Sequence, residues 1–388
     1  MKNRKICIIT GSRAEYGLLK PLIHILNIDS EIDLKIVATG MHLDKKFGLT
    51  FKDIENDGFH IYRKCDILPK TNSQSFVHES IGKGIIKFSD IFLEMKPDIV
   101  VVLGDRFEIF AASIAAYFLK IPIAHIHGGE TTEGAFDEGI RHSITKMSHF
   151  HFVAAEEYKN RVIQLGEDPA RVFMSGALFV DTIKNTKLLS RNEIEKTMNI
   201  NFKEKNILLT YHPVTLANNS SQNSFKALLS VLNERADINI IFTGPNADPG
   251  SDIILKMIKD FIKKNKNRSV FFTSMGHLKY LSCLQFVDAM VGNSSSGITE
   301  APALSIPTIN IGDRQKGRIQ TPSIINCEPT LSSINSAFEL LYSTKFQSNL
   351  VDIFNPYGGG EAGKKIANKL KDIKLPKNIK KTFFDLKI

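Results

Sequence analysis

The chain contains no tryptophan, only four cysteines and no long apolar run. Each shortage closes off a class of protein. Cys7, Cys65, Cys283 and Cys327 stand apart with no CxxC spacing, which excludes a zinc ribbon and a disulfide scaffold and leaves isolated thiols of a reducing compartment. No stretch approaches the ~18 apolar residues a membrane helix needs. The apolar stretch of MKNRKICIITGS ends at Thr10, too short for a signal-peptide core, so a cytoplasmic protein is expected. The net charge of +9 is concentrated: from Lys364 onward nine lysines face only Asp372 and Asp385. With no aromatic-interleaved basic stripe, neither nucleic acid nor membrane is expected as a partner. The basic tail reads as a solvated helix face.

What the sequence does hold is ordinary globular composition, 43% hydrophobic and 23% charged over 388 residues, enough for two or three domains. Short β-branched runs (5–10, 33–39, 98–104, 121–127, 150–155) alternate with amphipathic stretches of helical length. The series restarts with runs at 206–212, 238–244, 269–274, 288–294 and 305–312. Runs that are apolar throughout, rather than alternating, predict strands buried on both faces in parallel sheets. The expectation is an α/β chain of two doubly wound, Rossmann-like domains facing each other across a cleft, spanning residues 1–175 and 176–365. In such sheets ligands bind at the carboxyl ends of strands.

Six polar clusters follow expected strand ends. GSRAEYG (11–17) places Arg13 at the start of a helix, either as a surface residue of a turn or facing an anion. LGDRFE (103–108) offers Asp105 and Glu108 as acid, base or helix cap, with Arg106 as partner of Asp105 or as a phosphate contact. Residues 125–151 carry five histidines (125, 127, 142, 149 and 151), Glu130 and Asp137 with Arg141 four residues later on one helix face. No metal-ligand spacing such as HExxH occurs there, so acid–base chemistry is expected and metal is not. His127 ends a strand and is followed by Gly128-Gly129, which would let a ligand approach the backbone. His212 precedes Pro213 at the next strand end; a lone histidine there is more often structural. GNSSSGITEAP (292–302) reads either as a serine-rich cap or as a phosphate cradle at Ser294 and Ser295, with Glu300 one turn on to accept from a ribose diol. Arg314, Lys316 and Arg318 follow the last strand. Together these suit a sugar nucleotide.

GSRAEYG, GMH (40–42), LGDRFE, HIHGGE, DEGIRHSITKMSH, YHPVT, GNSSSGITEAP and NIGDRQKGR, in this order, resemble the UDP-N-acetylglucosamine 2-epimerase family over residues 4–330. They resemble most its hydrolysing branch, which supplies N-acetylmannosamine for sialic acid. The resemblance implies a glycosyltransferase-B fold with a C-terminal helix, 366–388, returning to the first domain. It implies a UDP-sugar as small-molecule partner, no cofactor and a homodimer or homotetramer. By position, Arg13 and Arg314 are expected on the diphosphate, and Ser294, Ser295 and Glu300 on phosphate and ribose. His42, Arg106 and Glu130 are expected as further binding residues, and Asp105, His127, Asp137, Arg141 and His212 around the reacting sugar. Non-hydrolysing relatives carry a glutamine in the loop that here reads GMHLDKKFG; many relatives carry Glu where this chain has His127. The resemblance further implies anti elimination to 2-acetamidoglucal and UDP, then syn hydration. A diacetylbacillosamine nucleotide is the alternative substrate. A retaining glycosyltransferase would need an acceptor, and a non-catalytic sugar-nucleotide sensor would need few of the ionisable residues between Asp105 and His151.

Overall fold

Five consecutive apolar residues, IVVVL at 99–103, are buried on both faces, as a central parallel strand requires. The computed structural model describes residues 3–70, 75–131, 137–213, 220–245, 251–273, 275–350, 355–376 and 379–386. They form two compact units, residues 1–182 with 356–388, and residues 183–355.

The first unit holds β1 (Arg4–Thr10), β2 (Ile32–Thr39), β3 (Ile61–Cys65), β4 (Ile99–Leu103), β5 (Ile123–Ile126), β6 (Phe150–Val153) and β7 (Val172–Met174). These make one parallel sheet in the order β3-β2-β1-β4-β5-β6-β7. The second unit holds β8 (Lys205–Thr210), β9 (Ile238–Thr243), β10 (Ser269–Phe272), β11 (Ala289–Gly292), β12 (Thr308–Ile311) and β13 (Ile324–Cys327), ordered β10-β9-β8-β11-β12-β13, again all parallel. Both orders reverse direction between their first and fourth strands. That reversal opens a crevice at the carboxyl ends of β1 and β4 in one sheet, and of β8 and β11 in the other.

Apolar clusters cover both faces of each sheet. In the first unit Leu19, Leu22 and Leu26 pack on one face, and Phe88, Phe92 and Ile109 on the other. In the second, Phe225, Ile258 and Phe338 lie on one face and Ile194, Cys283 and Leu284 on the other. All four cysteines are buried and unpaired. Among the described residues no helix is long and apolar enough to cross a membrane.

The carboxyl terminus departs from expectation. The helix expected over 366–388 spans Ala362–Asp372 instead; Lys364, Lys365 and Lys369 lie on its exposed face, and its other face is buried. Ile366 and Leu370 enter the first core cluster, and Asp181 accepts hydrogen bonds from the N–H groups of Ala362 and Gly363 at 2.8 and 2.6 Å, holding the helix start. Residues 379–386 then run without helical structure along the first unit. Phe384 N–H donates to the Gly166 carbonyl at 3.0 Å. Lys381 Nζ reaches Glu167 at 2.6 Å and the Lys146 carbonyl at 2.8 Å, capping the helix Asp137–Met147. Glu167, almost wholly buried, also accepts from His151 at 2.9 Å and Lys146 at 2.7 Å.

Burial alone would raise the Glu167 carboxyl, but the His151 hydrogen bond and the two ammonium groups reverse this and bring it down to about 2. A carboxyl depressed on folding contributes stability above its unfolded value, near 4.5, and loses it as pH falls toward 2. The shift corresponds to about 3 kcal/mol. Glu167→Gln is therefore expected to melt well below the parent at pH 7 and close to it at pH 2.5. An equal gap at both pH values, measured by thermal unfolding, would exclude this role.

Candidate functional site

Each sheet collects polar side chains at its strand reversal. In the first unit, Ser12 caps the helix Arg13–Ile28, its hydroxyl accepting from Glu15 N–H at 3.3 Å. Arg13, the first helical residue, is exposed, with Asp53 at 3.6 Å. Across the crevice, β4 ends at Leu103, and Arg106 rather than Asp105 occupies the cap position of the helix Phe107–Phe118. Asp105 is thereby released from capping and forms an ion pair with Arg141, whose side chain is only 7% exposed. Arg106 does not pair with Asp105; its Nη2 donates to Glu108 at 2.7 Å.

Arg141 and Asp137 lie on the helix Asp137–Met147, one turn apart, and Arg141 also has Glu138 at 3.6 Å. The Asp137 carboxyl is raised, first by partial desolvation and then by the Asp105 charge, while Arg141 and Arg106 oppose the rise. Two carboxylates in unlike surroundings, one engaged by a guanidinium and one raised, form the pattern of an acid–base site.

His127 follows β5 with φ +64, a left-handed conformation costly for a residue with a side chain. Its Nδ1 faces Glu130 at 3.2 Å, and its Nε2 accepts the Leu178 N–H at 3.3 Å. Both ring nitrogens are thus held by the protein, which makes His127 and Glu130 a mutually oriented pair rather than a free base and a free donor set. His42, expected among substrate-binding residues, is held from both sides. It is fully buried, with Nε2 at 3.0 Å from the Thr10 hydroxyl and Nδ1 at 2.8 Å from Thr50, so it braces the ends of β1 and β2. The other histidines of the 125–151 stretch are tied in the same way: His125 to Gly104 and Thr145, His142 to Glu138, His149 to Ile123 and Ile379. Residues 132–136 of that stretch, and Val214 and Thr215 of the fourth cluster, lie outside the described residues.

In the second unit the organiser is Asn293, which sequence reasoning passed over in favour of the neighbouring serines. It is 1% exposed. Its Oδ1 accepts from His212 N–H at 2.7 Å and its Nδ2 donates to the His212 carbonyl at 2.8 Å. Its own carbonyl accepts from Arg314 at 3.1 Å and Gln315 at 2.9 Å. Gly292, with φ +134, makes this approach possible, since a Cβ there would stand 1.9 Å from the Thr210 carbonyl oxygen. Ser294 and Ser295 precede the helix Ser296–Ala303; the Ser294 hydroxyl accepts the Ser296 N–H at 3.4 Å, while Ser295, at the cap position, makes no side-chain cap bond, and the helix starts at the strand reversal of this sheet. Glu300, one turn in, has His277 at 3.7 Å. The signal that could have found Asn293 is its type and place: a carboxamide just after a strand-ending glycine can bond a neighbouring strand's backbone in both directions.

Two doubly wound parallel sheets, each with polar groups at its reversal, define an α/β fold of the nucleotide-handling kind. Comparison places it further. The profile of the UDP-N-acetylglucosamine 2-epimerase family matches residues 24–371, and the chain belongs to that family. It is 42% identical over 387 residues to the GDP/UDP-N,N'-diacetylbacillosamine 2-epimerase (hydrolyzing) of Campylobacter jejuni, covering 100% of both chains. It is 40% identical to the polysialic acid biosynthesis protein P7 of Escherichia coli, covering 99% of this chain and 98% of the other. The crystal structure of the Neisseria meningitidis UDP-GlcNAc 2-epimerase bound to UDP-GlcNAc superposes with a TM-score of 0.80 at 20% identity, covering 94% and 99%. At that identity the likeness speaks for the fold, which is of the glycosyltransferase-B class.

Proposed function

We propose that the chain is a hydrolysing 2-epimerase converting UDP-N-acetylglucosamine and water to N-acetylmannosamine and UDP, in the supply of sialic or related nonulosonic acids. The observation that carries this is the pairing of Asp105 with Arg141 beside the raised carboxyl of Asp137, at the strand reversal of the first unit. The loop GMHLDKKFG, without the glutamine of non-hydrolysing relatives, supports the hydrolysing branch, as does the name of the Campylobacter relative.

Carbon 2 of the sugar bears an unactivated C–H. Departure of UDP from carbon 1 creates an oxocarbenium-like centre and makes that hydrogen acidic. Arg13, Arg314 and the helix start after Ser295 stabilise the leaving diphosphate; Glu300 and the Ser294 and Ser295 hydroxyls hold ribose and phosphate. Asp137, raised and exposed, takes the proton from carbon 2, and Asp105, fixed by Arg141, lies beside it. His212 is held by Asn293 as the corresponding group of the second unit. His127 and Glu130 shape the backbone after β5. The bond from carbon 1 to UDP breaks as the proton leaves carbon 2, giving 2-acetamidoglucal; water then adds across the double bond, its hydroxyl to carbon 1 and a proton to carbon 2.

This predicts that product formed in D₂O carries deuterium at carbon 2, followed by NMR as UDP and hexosamine appear. A product with hydrogen retained there excludes the elimination route. A second substrate, a diacetylbacillosamine nucleotide, is favoured by the 42% identity to the Campylobacter enzyme of that name. Incubation with each nucleotide sugar, and identification of the released hexose, separates the two.

A further inference from the structure

Beneath Arg106, at the carboxyl ends of β1, β2 and β4, lies a pair of acids that the reaction above does not use. Glu15 from the helix Arg13–Ile28 and Glu108 from the helix Phe107–Phe118 are 6% and 0% exposed. They come together over two glycines. A Cβ on Gly11 would stand 3.1 Å from Glu15 Oε2 and 3.3 Å from Glu108 Oε1; one on Gly40, where φ is +55, would stand 2.6 Å from Glu108 Oε1. Glycine at both positions leaves the room that the carboxyls fill.

One oxygen of each acid has a partner. Glu15 Oε2 accepts the Gly11 N–H at 2.6 Å, and Glu108 Oε1 accepts Arg106 Nη2 at 2.7 Å. The other oxygens, Glu15 Oε1 and Glu108 Oε2, are buried with no partner among the described residues. The charged and titratable groups around them are few. Arg106 bonds Glu108, and its charge acts on Glu15. His42, on the turn Gly40–Leu43, is lowered by burial to about 4 and so adds no charge at neutral pH. Asp137, on the helix Asp137–Met147, acts on Arg106, and Asp53, on the helix Phe51–Asn56, acts on His42. Two buried carboxylates against one guanidinium would leave a charge uncompensated, and such charges are costly. One proton removes the imbalance and gives the pair a donor, which two carboxylates lack.

We propose that Glu15 and Glu108 share a single proton, and that the carboxylate so balanced makes Glu108 the positioning residue that holds Arg106 at the crevice. The direction of the Glu15 carboxyl agrees: burial, and then the Glu108 charge, push it up to about 8. Loss of the shared proton draws Arg106 inward against two charges and places net negative potential beside an anionic substrate. Arg106 facing the substrate rests on the functional reading above; the shared proton does not.

The test uses the full chain in D₂O, by infrared difference spectroscopy. The carbonyl stretch of an un-ionised carboxyl is expected at pH 7, disappearing with a midpoint near pH 8 in the parent and missing from the neutral-pH spectrum of Glu15→Gln. In parallel, KM for the nucleotide sugar is expected to rise roughly three- to tenfold between pH 7 and 9.5 in the parent and to lack that rise in Glu15→Gln. The same alkaline rise in the variant overturns the proposal, as does a parent spectrum with no such band at pH 7 or one that persists unchanged to pH 10. If Glu15→Gln does not fold, the titration of the parent alone decides. If the parent releases no UDP, the functional reading fails, and the infrared band still judges the pair.

Discussion

Asp105→Asn is expected to lower turnover by ~10²–10⁴-fold, the range of a positioned acid–base group, while leaving affinity for UDP within a few-fold. The argument rests on what Asp105 touches. Asparagine keeps the shape but removes the charge that pairs with Arg141 and that helps raise Asp137. Two losses follow. Arg141, 7% exposed, retains a positive charge with Glu138 at 3.6 Å, and Asp137 titrates lower, which moves the acid limb of the rate profile to lower pH. The groups proposed to hold the nucleotide, Ser294, Ser295, Glu300 and Arg314, belong to the other unit. Steady-state UDP release and calorimetric titration with UDP separate the two effects. Turnover within threefold of the parent removes Asp105 from the reaction. Because breaking a largely buried pair costs up to about 3–5 kcal/mol, the melting temperature is measured beside the kinetics, and UDP binding by the variant certifies its fold.

Asn293→Ala is the second large effect. It removes both side-chain bonds to the His212 backbone and leaves a buried N–H and a buried carbonyl without them. At about 1–3 kcal/mol for each group, the second unit is expected to lose roughly 2–5 kcal/mol, and His212 its fixed position. The anchoring of Arg314 and Gln315 should survive, since they bond the main-chain carbonyl of residue 293 rather than its side chain. Turnover should therefore fall further than UDP affinity. Asn293→Asp gives a graded control: it keeps the acceptor for His212 N–H but sets an oxygen against the His212 carbonyl. A variant as stable as the parent, or one in which UDP binding falls and turnover does not, contradicts the role assigned to Asn293.

The central strands were plain in the sequence because burial on both faces demands apolar side chains throughout. β4 and β11 carry that mark in full. Three strands escaped the same criterion, and all three lie toward or at a sheet edge: β3, IYRKC, β7, VFM, and β13, IINC. An edge strand has one neighbour and a wetter face, so Arg63, Lys64 and Asn326 are tolerated and the apolar run is broken. The tail was half legible, since the lysines of its helix do face solvent. Its lysines suggest solvent, yet Lys381 lies against Glu167 and a helix end some 200 residues away in the chain.

By itself, then, the sequence determined the doubly wound class, the motifs that follow its strands and the family to which they belong, because each depends on residues near one another in the chain. Tertiary structure decided the partners: Arg141 and not Arg106 for Asp105, the braced interior for His42, Asn293 as the hub beneath His212, and the meeting of Glu15 with Glu108. Those outcomes turn on which distant side chains share a buried space, where an unpaired charge or hydrogen-bonding group is expensive, and spacing along a chain carries no measure of that.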